Sequence, residues 1–321
     1  MTVAPTLLMS IAHREATSRT HSIELRISTF VNIVSIMSRQ RYVLVTGCGK
    51  GGIGEAFVSE YTRSGLHAIA TVLPSESSEH LVEAGITWFP LDVTSEESVI
   101  ALKAKVQKLT DGNLDILVNN AGVCYTMPAI DTNVKAVQHM FNVNVFGPMR
   151  MVHHFHDMLI RSSGTIMNMS SIGAVIPYVF GSSYNGAKAA LAHWGNTLRV
   201  EMAPLNVKVV NIIAGEVGTN ILKNDHGRQL PEGSYYAPLA AEFNQHVNRI
   251  PATTDRYEFA KGVVAKSLRS SPPIWLWHGS QTRLTWFLDT FFPRSIFDWL
   301  LWRIFDLGKL QRARRDSNKR D

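Results

Sequence analysis

Residues 41–54, RYVLVTGCGKGGIG, limit what this chain can fold into more than any other stretch. Tyr42 to Val45 is a short β-rich run, five glycines crowd the next nine positions, and a helix is expected from about Gly52. Glycine carries no Cβ, so the backbone here can come close to a bound anion. The N–H groups that open the following helix face that anion with the positive end of the helix dipole. Strand, glycine turn and helix in this order begin a βαβ unit that holds the pyrophosphate of a dinucleotide. Gly47, Gly52, Ile53 and Gly54 are assigned to this cradle, with Lys50 as the basic residue of its loop.

The rest of the chain keeps the spacing of an α/β sheet. Apolar runs at His67–Val72, Ile86–Leu91, Leu114–Val118, Gly164–Met169, Val207–Ile213 and Ile274–Trp277 read as strands. Helices alternate with them: one over 95–109, with Ser95 as N-cap and Glu96 and Glu97 in its first turn, and another over 254–270. The pattern predicts a doubly wound parallel sheet covered on both faces. A content of 45% apolar and 18% charged residues suits a folded domain, and 321 residues can bury a large core. The net charge of +6 is concentrated at the end, where Lys309, Arg312, Arg314, Arg315, Lys319 and Arg320 outnumber Asp316 and Asp321. The remaining body is nearly neutral, which argues against a nucleic-acid-binding face. Two cysteines, Cys48 and Cys124, cannot make a disulfide framework, so a reducing compartment is the simpler expectation.

Chemistry concentrates in residues 164–191, GTIMNMSSIGAVIPYVFGSSYNGAKAAL. The strand is expected to stop at Met169, with Ser170-Ser171 just beyond it, and Tyr184-x-x-x-Lys188 opens an Ala-rich helix. Four residues make about one helical turn, so Tyr184 and Lys188 share a face, which Ser171 meets at the sheet edge. A phenol is a weak acid, with a pKa of about 10, and a neighbouring ammonium is expected to bring it toward the working range. His153, His154 and His156 offer only one pair at helical metal-ligand spacing, with no acid or cysteine nearby, so no metal is expected.

Ser171, Tyr184 and Lys188, with Asn144 upstream, resemble the catalytic set of the short-chain dehydrogenase/reductase family, and the likeness runs from about Arg41 to His278. The resemblance implies a Rossmann-type doubly wound parallel sheet in a single domain. It implies that Asp92 contacts adenine, that Asn119, Ala121 and Gly122 brace the sheet and line the cofactor cleft, and that Tyr184 and Lys188 also bind the cofactor. Asn144 would distort its helix to hold a water in a proton relay, and Val217 and Thr219 would meet the carboxamide and pyrophosphate. Two departures stand out. The glycine loop has one extra residue, and the usual Pro-Gly-x-Val-x-Thr is Ala214-Gly215-Glu216-Val217-Gly218-Thr219. The segment after His67–Val72, LPSESS, places no acid at the strand end to repel a 2′-phosphate, and no arginine at Leu73 to bind one. NADP(H) is the expected cofactor, with Lys50, Ser75 and Ser77 as its partners.

Within the family, GKGGIG, CYTMPAID, NVNVFG and YNGAKAALAHWGNTLRVEMAPLNVKVVN most resemble fungal NADPH-dependent 1-acyl-dihydroxyacetone-phosphate reductases. That implies hydride transfer to the ketone of an apolar or lipid-like substrate, with Lys223, His226 and Arg228 of the 220–250 lid as phosphate partners. The alternative is a ketoreductase of a fungal secondary-metabolite pathway. A non-catalytic dinucleotide-binding module would have lost a catalytic residue, and all four are present. Three segments are expected: a leader over 1–36, the enzyme domain over 37–279, and an aromatic and basic extension over 280–321. The leader is expected to be disordered, or a gene-model artefact with Met37 as the true start; its composition also resembles a transit peptide, with mitochondrial targeting as the consequence. Residues 284–321 suit either peripheral membrane contact or packing on the body. Membrane contact would place the enzyme on the endoplasmic reticulum or a lipid droplet, and packing would leave it cytosolic. The resemblance also implies a homodimer through the Asn144 and Tyr184 helices.

Overall fold

The computed structural model describes residues 39–221, 226–249 and 253–319; the leader over 1–36 and Lys223 lie outside them. Seven strands, β1 (Tyr42–Val45), β2 (His67–Val72), β3 (Thr87–Pro90), β4 (Ile116–Asn119), β5 (Thr165–Ser171), β6 (Lys208–Ala214) and β7 (Trp275–His278), form one sheet. Every neighbouring pair is parallel and the order is β3-β2-β1-β4-β5-β6-β7. The chain winds outward from β1 to β3 and then returns to start again at β4. The crevice beyond the C-terminal ends of β1 and β4 is therefore the switch point where such sheets bind ligands.

Helices α1 (Ile53–Arg63), α2 (Glu79–Glu83), α3 (Glu96–Thr110), α4 (Val134–Phe141), α5 (Gly147–Arg161), α6 (Ser182–Met202), α7 (Ala240–Val247) and α8 (Arg256–Ser267) connect and cover the strands. Val43 and Val45 pack with Phe57 and Tyr61 of α1 and Phe259 and Val263 of α8. Leu44 and Leu117 face the other way, against Leu102 of α3 and Phe155 and Leu159 of α5. Both faces are buried, which explains why the strands read as unbroken apolar runs. Complete burial of a ring such as Phe57 or Phe155 stabilises the fold by about 1.5–3 kcal/mol.

Strand β5 runs one pair further than the sequence suggests. Ser170 and Ser171 stay in register with Ile213 and Ala214, so the strand ends with them and not before them. A row of asparagines also crosses the sheet: Asn119 Nδ2 donates to Asn168 Oδ1 (2.9 Å), and Asn211 Nδ2 donates to Ala192 O of α6 (2.9 Å). This row holds the tyrosine helix against the strands.

Residues beyond β7 form α9 (Thr282–Phe291), α10 (Ser295–Ile304) and α11 (Leu307–Ser317). Phe297, Leu301 and Phe305 are buried with Tyr125, Met140, Phe180, Leu239 and Phe243, so one face of the extension belongs to the body. No described helix is long and apolar enough to cross a membrane.

Candidate active site

The ends of β1 and β4 are tied together by side chains. Thr46 Oγ1 accepts from the backbone N–H of Asn120 (3.0 Å) and Ala121 (2.9 Å), while Asn120 Nδ2 donates to Thr46 O (2.8 Å) and Gly47 O (2.9 Å). Gly47 has φ +70° and lies so close to Ala121 that a Cβ would come within 2.8 Å of its Cα. Gly51, at φ +80°, turns the loop, and its N–H donates to Glu55 Oε2 (2.7 Å). Gly52 caps α1 without a side-chain hydrogen bond, which leaves the first N–H groups of the helix for an anion. The turn thus fits a pyrophosphate on its own geometry.

A cleft of about 870 Å³ opens above this turn. Gly47, Lys50, Gly52, Ile53, Asp92, Ala121, Gly122, Val217 and Thr219 line it, as do Ser171, Tyr184 and Lys188. Three of the assigned cofactor residues do not: Ser77 lines the cleft, but Ser75, two residues earlier in the turn after β2, does not, and neither do Gly54 and Asn119. Gly54 sits beneath the loop, where a Cβ would meet Gly47 O at 2.3 Å and Asn120 Nδ2 at 2.8 Å, so its part is to let α1 pack closely. Asn119 is buried and its amide serves the asparagine row of the sheet.

Ser171 leaves the end of β5 with its Oγ accepting from Gly173 N (3.1 Å), so its own proton is left to donate. On α6, one turn brings the Lys188 Nζ to 5.6 Å from the centre of the Tyr184 ring. Lys188 is buried, and its Nζ donates to Met169 O (2.8 Å). Asn144 is completely buried within a π-helical turn over Asn142–Phe146. Its Oδ1 accepts from Val123 N (2.9 Å) and its Nδ2 donates to Val123 O (2.8 Å). Gly122 stands where a Cβ would lie 3.2 Å from Asn144 Oδ1 and 3.5 Å from Lys188 Nζ, which brings the three positions together.

Burial pushes the Lys188 amine down to about 8. Burial also pushes the Tyr184 phenol above its ordinary range, Cys124 adds to this, and the hydrogen bond with Ser171 opposes it in part. This corrects the expectation that Lys188 brings the phenol toward neutrality. Taking a phenolate out of water costs more than the Ser171 hydrogen bond offsets. The phenol is consequently held in its protonated, donating form.

Several cleft residues carry no motif in the sequence. Glu76 reaches back from the turn after β2, its Oε2 2.9 Å from where a Cβ on Gly49 would stand. At the opposite end Arg249 donates to Glu216 Oε1 (2.9 Å) and to His246 Nε2 (3.0 Å), and Tyr178 lies 5.3 Å from the His246 ring. The lid basics are placed otherwise. Arg228 stacks over Tyr125 at 4.4 Å, and neither it nor His226 lines the cleft. Among the described residues no cluster of three or more potential metal ligands occurs.

Residues 41–229 match the family model described as short chain dehydrogenase. The short-chain dehydrogenase fogD of Aspergillus ruber is 66% identical over 281 residues, which are 87% of this chain and 98% of that protein. The NADPH-dependent 1-acyldihydroxyacetone phosphate reductase of Schizosaccharomyces pombe is 38% identical over 228 residues, 70% of this chain and 77% of that one. Among solved structures, a short-chain dehydrogenase from Streptomyces avermitilis is similar with a TM-score of 0.67 at 25% identity, over 84% of this chain and 98% of that one. A short chain dehydrogenase from Burkholderia cenocepacia in complex with NADP shares the fold at a TM-score of 0.66 and 21% identity, over 82% of this chain and 98% of that one. With its glycine turn, parallel sheet and Ser171–Tyr184–Lys188 set, this chain belongs to the short-chain dehydrogenases, oxidoreductases that use NAD(P).

Proposed function

We propose that the enzyme reduces the carbonyl group of a small apolar compound with NADPH, in a fungal secondary-metabolite pathway. The observation that carries this reading is the convergence of Ser171, Tyr184 and Lys188 on a cleft whose other walls include Val123, Val143, Ile172, Ile176 and Tyr178. NADPH, when bound, supplies the hydride. Tyr184 gives its proton to the oxygen that gains charge as the carbonyl is reduced, and Ser171 donates a hydrogen bond to the same oxygen. In a cleft with apolar walls such oriented donors are worth more than in water. Lys188 holds the nicotinamide ribose and keeps a positive charge beside the phenol as it gives up its proton.

A lipid-phosphate substrate is the second reading, favoured by the 38% identical reductase of Schizosaccharomyces pombe. The substrate end of the cleft supports it less. Among the described residues there, Arg249 is already paired with Glu216, and Arg228 is occupied at Tyr125. The test is NADPH consumption with a panel of apolar ketones and aldehydes beside 1-acyl-dihydroxyacetone phosphate. Turnover on the panel but not on the phosphate is expected. Tyr184→Phe should lower kcat by about 10²–10⁴-fold, the usual worth of a general acid, and leave NADPH binding intact. Activity on 1-acyl-dihydroxyacetone phosphate alone would give the second reading preference, and full turnover by Tyr184→Phe would remove the proton-transfer role.

A further inference from the structure

We propose that α9 and α10 present a docking surface for an anionic lipid bilayer, on which the protein lies without spanning it. The argument starts from side chains that the fold leaves in water. Leu284, Phe287 and Phe291 recur at helical spacing along one stripe of α9 and are 56%, 47% and 63% exposed. Trp286 and Phe292 extend the stripe: the Trp286 and Phe291 rings meet edge-on at 5.9 Å, and those of Phe287 and Phe292 at 5.7 Å. Trp299 and Trp302 are about half-exposed on α10. The opposite sides of these helices are anchored by Phe297 and Leu301 in the core, by the half-buried Leu288 against it, and by the buried Thr282 and Thr285. The exposed rings are therefore a fixed surface.

Charge identifies the occupant. Arg283 opens α9, Arg294 stands between the two helices with 79% of its side chain exposed, and Arg303 stacks on Trp299 at 4.2 Å. Asp289 faces Arg294 at 3.4 Å and offsets part of that charge. Across α9, the turn and α10 the basic residues Arg283, Arg294 and Arg303 outnumber the acidic Asp289 and Asp298, and the basic helix α11 follows directly. Two such faces pressed together in a symmetric dimer would bring like charges into contact, whereas acidic headgroups neutralise them. Tryptophan sits well at headgroup depth, and helices that present Trp, Phe and Leu on one face lie in that plane. The surface is separate from the catalytic cleft and does not depend on the substrate assigned above.

The experiment is co-sedimentation of the full-length protein with vesicles of phosphatidylcholine alone or mixed with phosphatidylserine. Binding to the mixed vesicles, weakened by salt, is expected. The triple variant Trp286→Ser, Phe287→Ser, Phe291→Ser should lose binding while its NADPH-dependent turnover in solution and its melting temperature stay near those of the parent. Arg294→Gln and Arg303→Gln should each weaken binding roughly fivefold. Tyr184→Phe should still bind. Vesicle binding unchanged in the triple variant overturns the proposal. So does a parent that leaves vesicles unbound and sediments as a dimer which the triple variant converts to monomer.

Discussion

The Lys188 amine has a folded-state pKa of about 8, below the 10.5 of free lysine, because burial disfavours its charged form. Between those two values the unfolded chain binds the extra proton, so stability rises with pH through that window. Below pH 8 the full cost of burying the ammonium is present. Lys188→Met should accordingly unfold at higher urea than the parent at pH 7, with the gap narrowing toward pH 10, and should have lost turnover. In the parent, kcat/KM for NADPH should fall as pH rises through about 8, since the free enzyme loses the charge that holds the ribose; a flat profile to pH 10 would refute this. At the adenosine end the informative residue is Glu76. A carboxylate beside the glycine loop repels a 2′-phosphate, and Lys50 attracts it. Glu76→Gln should raise the NADPH-to-NADH ratio of kcat/KM about fivefold, the effect of roughly 1 kcal/mol, and Lys50→Ala should lower it. An unchanged ratio in both would place the phosphate elsewhere. Sequence patterning could not bring Glu76 to the cleft. It lies four residues beyond β2 and arrives only because the chain turns back, with Glu76 N donating to Leu73 O at 2.9 Å.

At the scale of the element, the glycine turn between β1 and α1 and the tyrosine helix α6 were both legible, for the same reason. Each places its functional groups within a turn or two of local chain, where residue type and spacing determine geometry. The π-helical turn over Asn142–Phe146 is expected only through the family resemblance of Asn144 and has no such local signature of its own. Its residues would continue an ordinary helix by propensity, and the bonds of the Asn144 amide to Val123 come from a segment twenty-one residues earlier. Gly54 shows how little freedom the glycine turn has. Its φ is ordinary, so backbone conformation does not demand glycine; the Gly47 carbonyl 2.3 Å from an added Cβ does. Gly54→Ala must push α1 away from β1 and should cost about 1–3 kcal/mol, read as a lower melting temperature, together with weaker NADPH binding. A variant with unchanged stability and binding would show that the helix can shift freely.

For the molecule as a whole, the aromatic extension is where sequence was least decisive, because a helix that packs on one side and meets an apolar surface on the other has rings all round. Its periodicity is then blurred, and only the fold separates Phe297 and Leu301, inside, from Trp299 and Trp302, outside. The inner face reaches the substrate end of the cleft. Phe305 stands edge-on to Tyr178 at 5.2 Å and to Phe180 at 5.5 Å, and lies 5.4 Å from the His246 ring. Tyr178 and His246 are cleft walls, while Ser171, Tyr184 and Lys188 are held by β5 and α6. Loosening Phe305 should therefore disturb where a substrate sits before it disturbs the groups that transfer its proton. Phe305→Ala should lose about 3–5 kcal/mol of stability as a buried ring is removed. At a temperature where the variant is still folded, KM for the carbonyl substrate should rise several-fold while kcat falls less. Thermal melts and steady-state kinetics at that temperature measure both. If KM stays constant while only the melting point falls, the extension supports the body without shaping the site; if KM rises, the last forty residues are part of the substrate pocket.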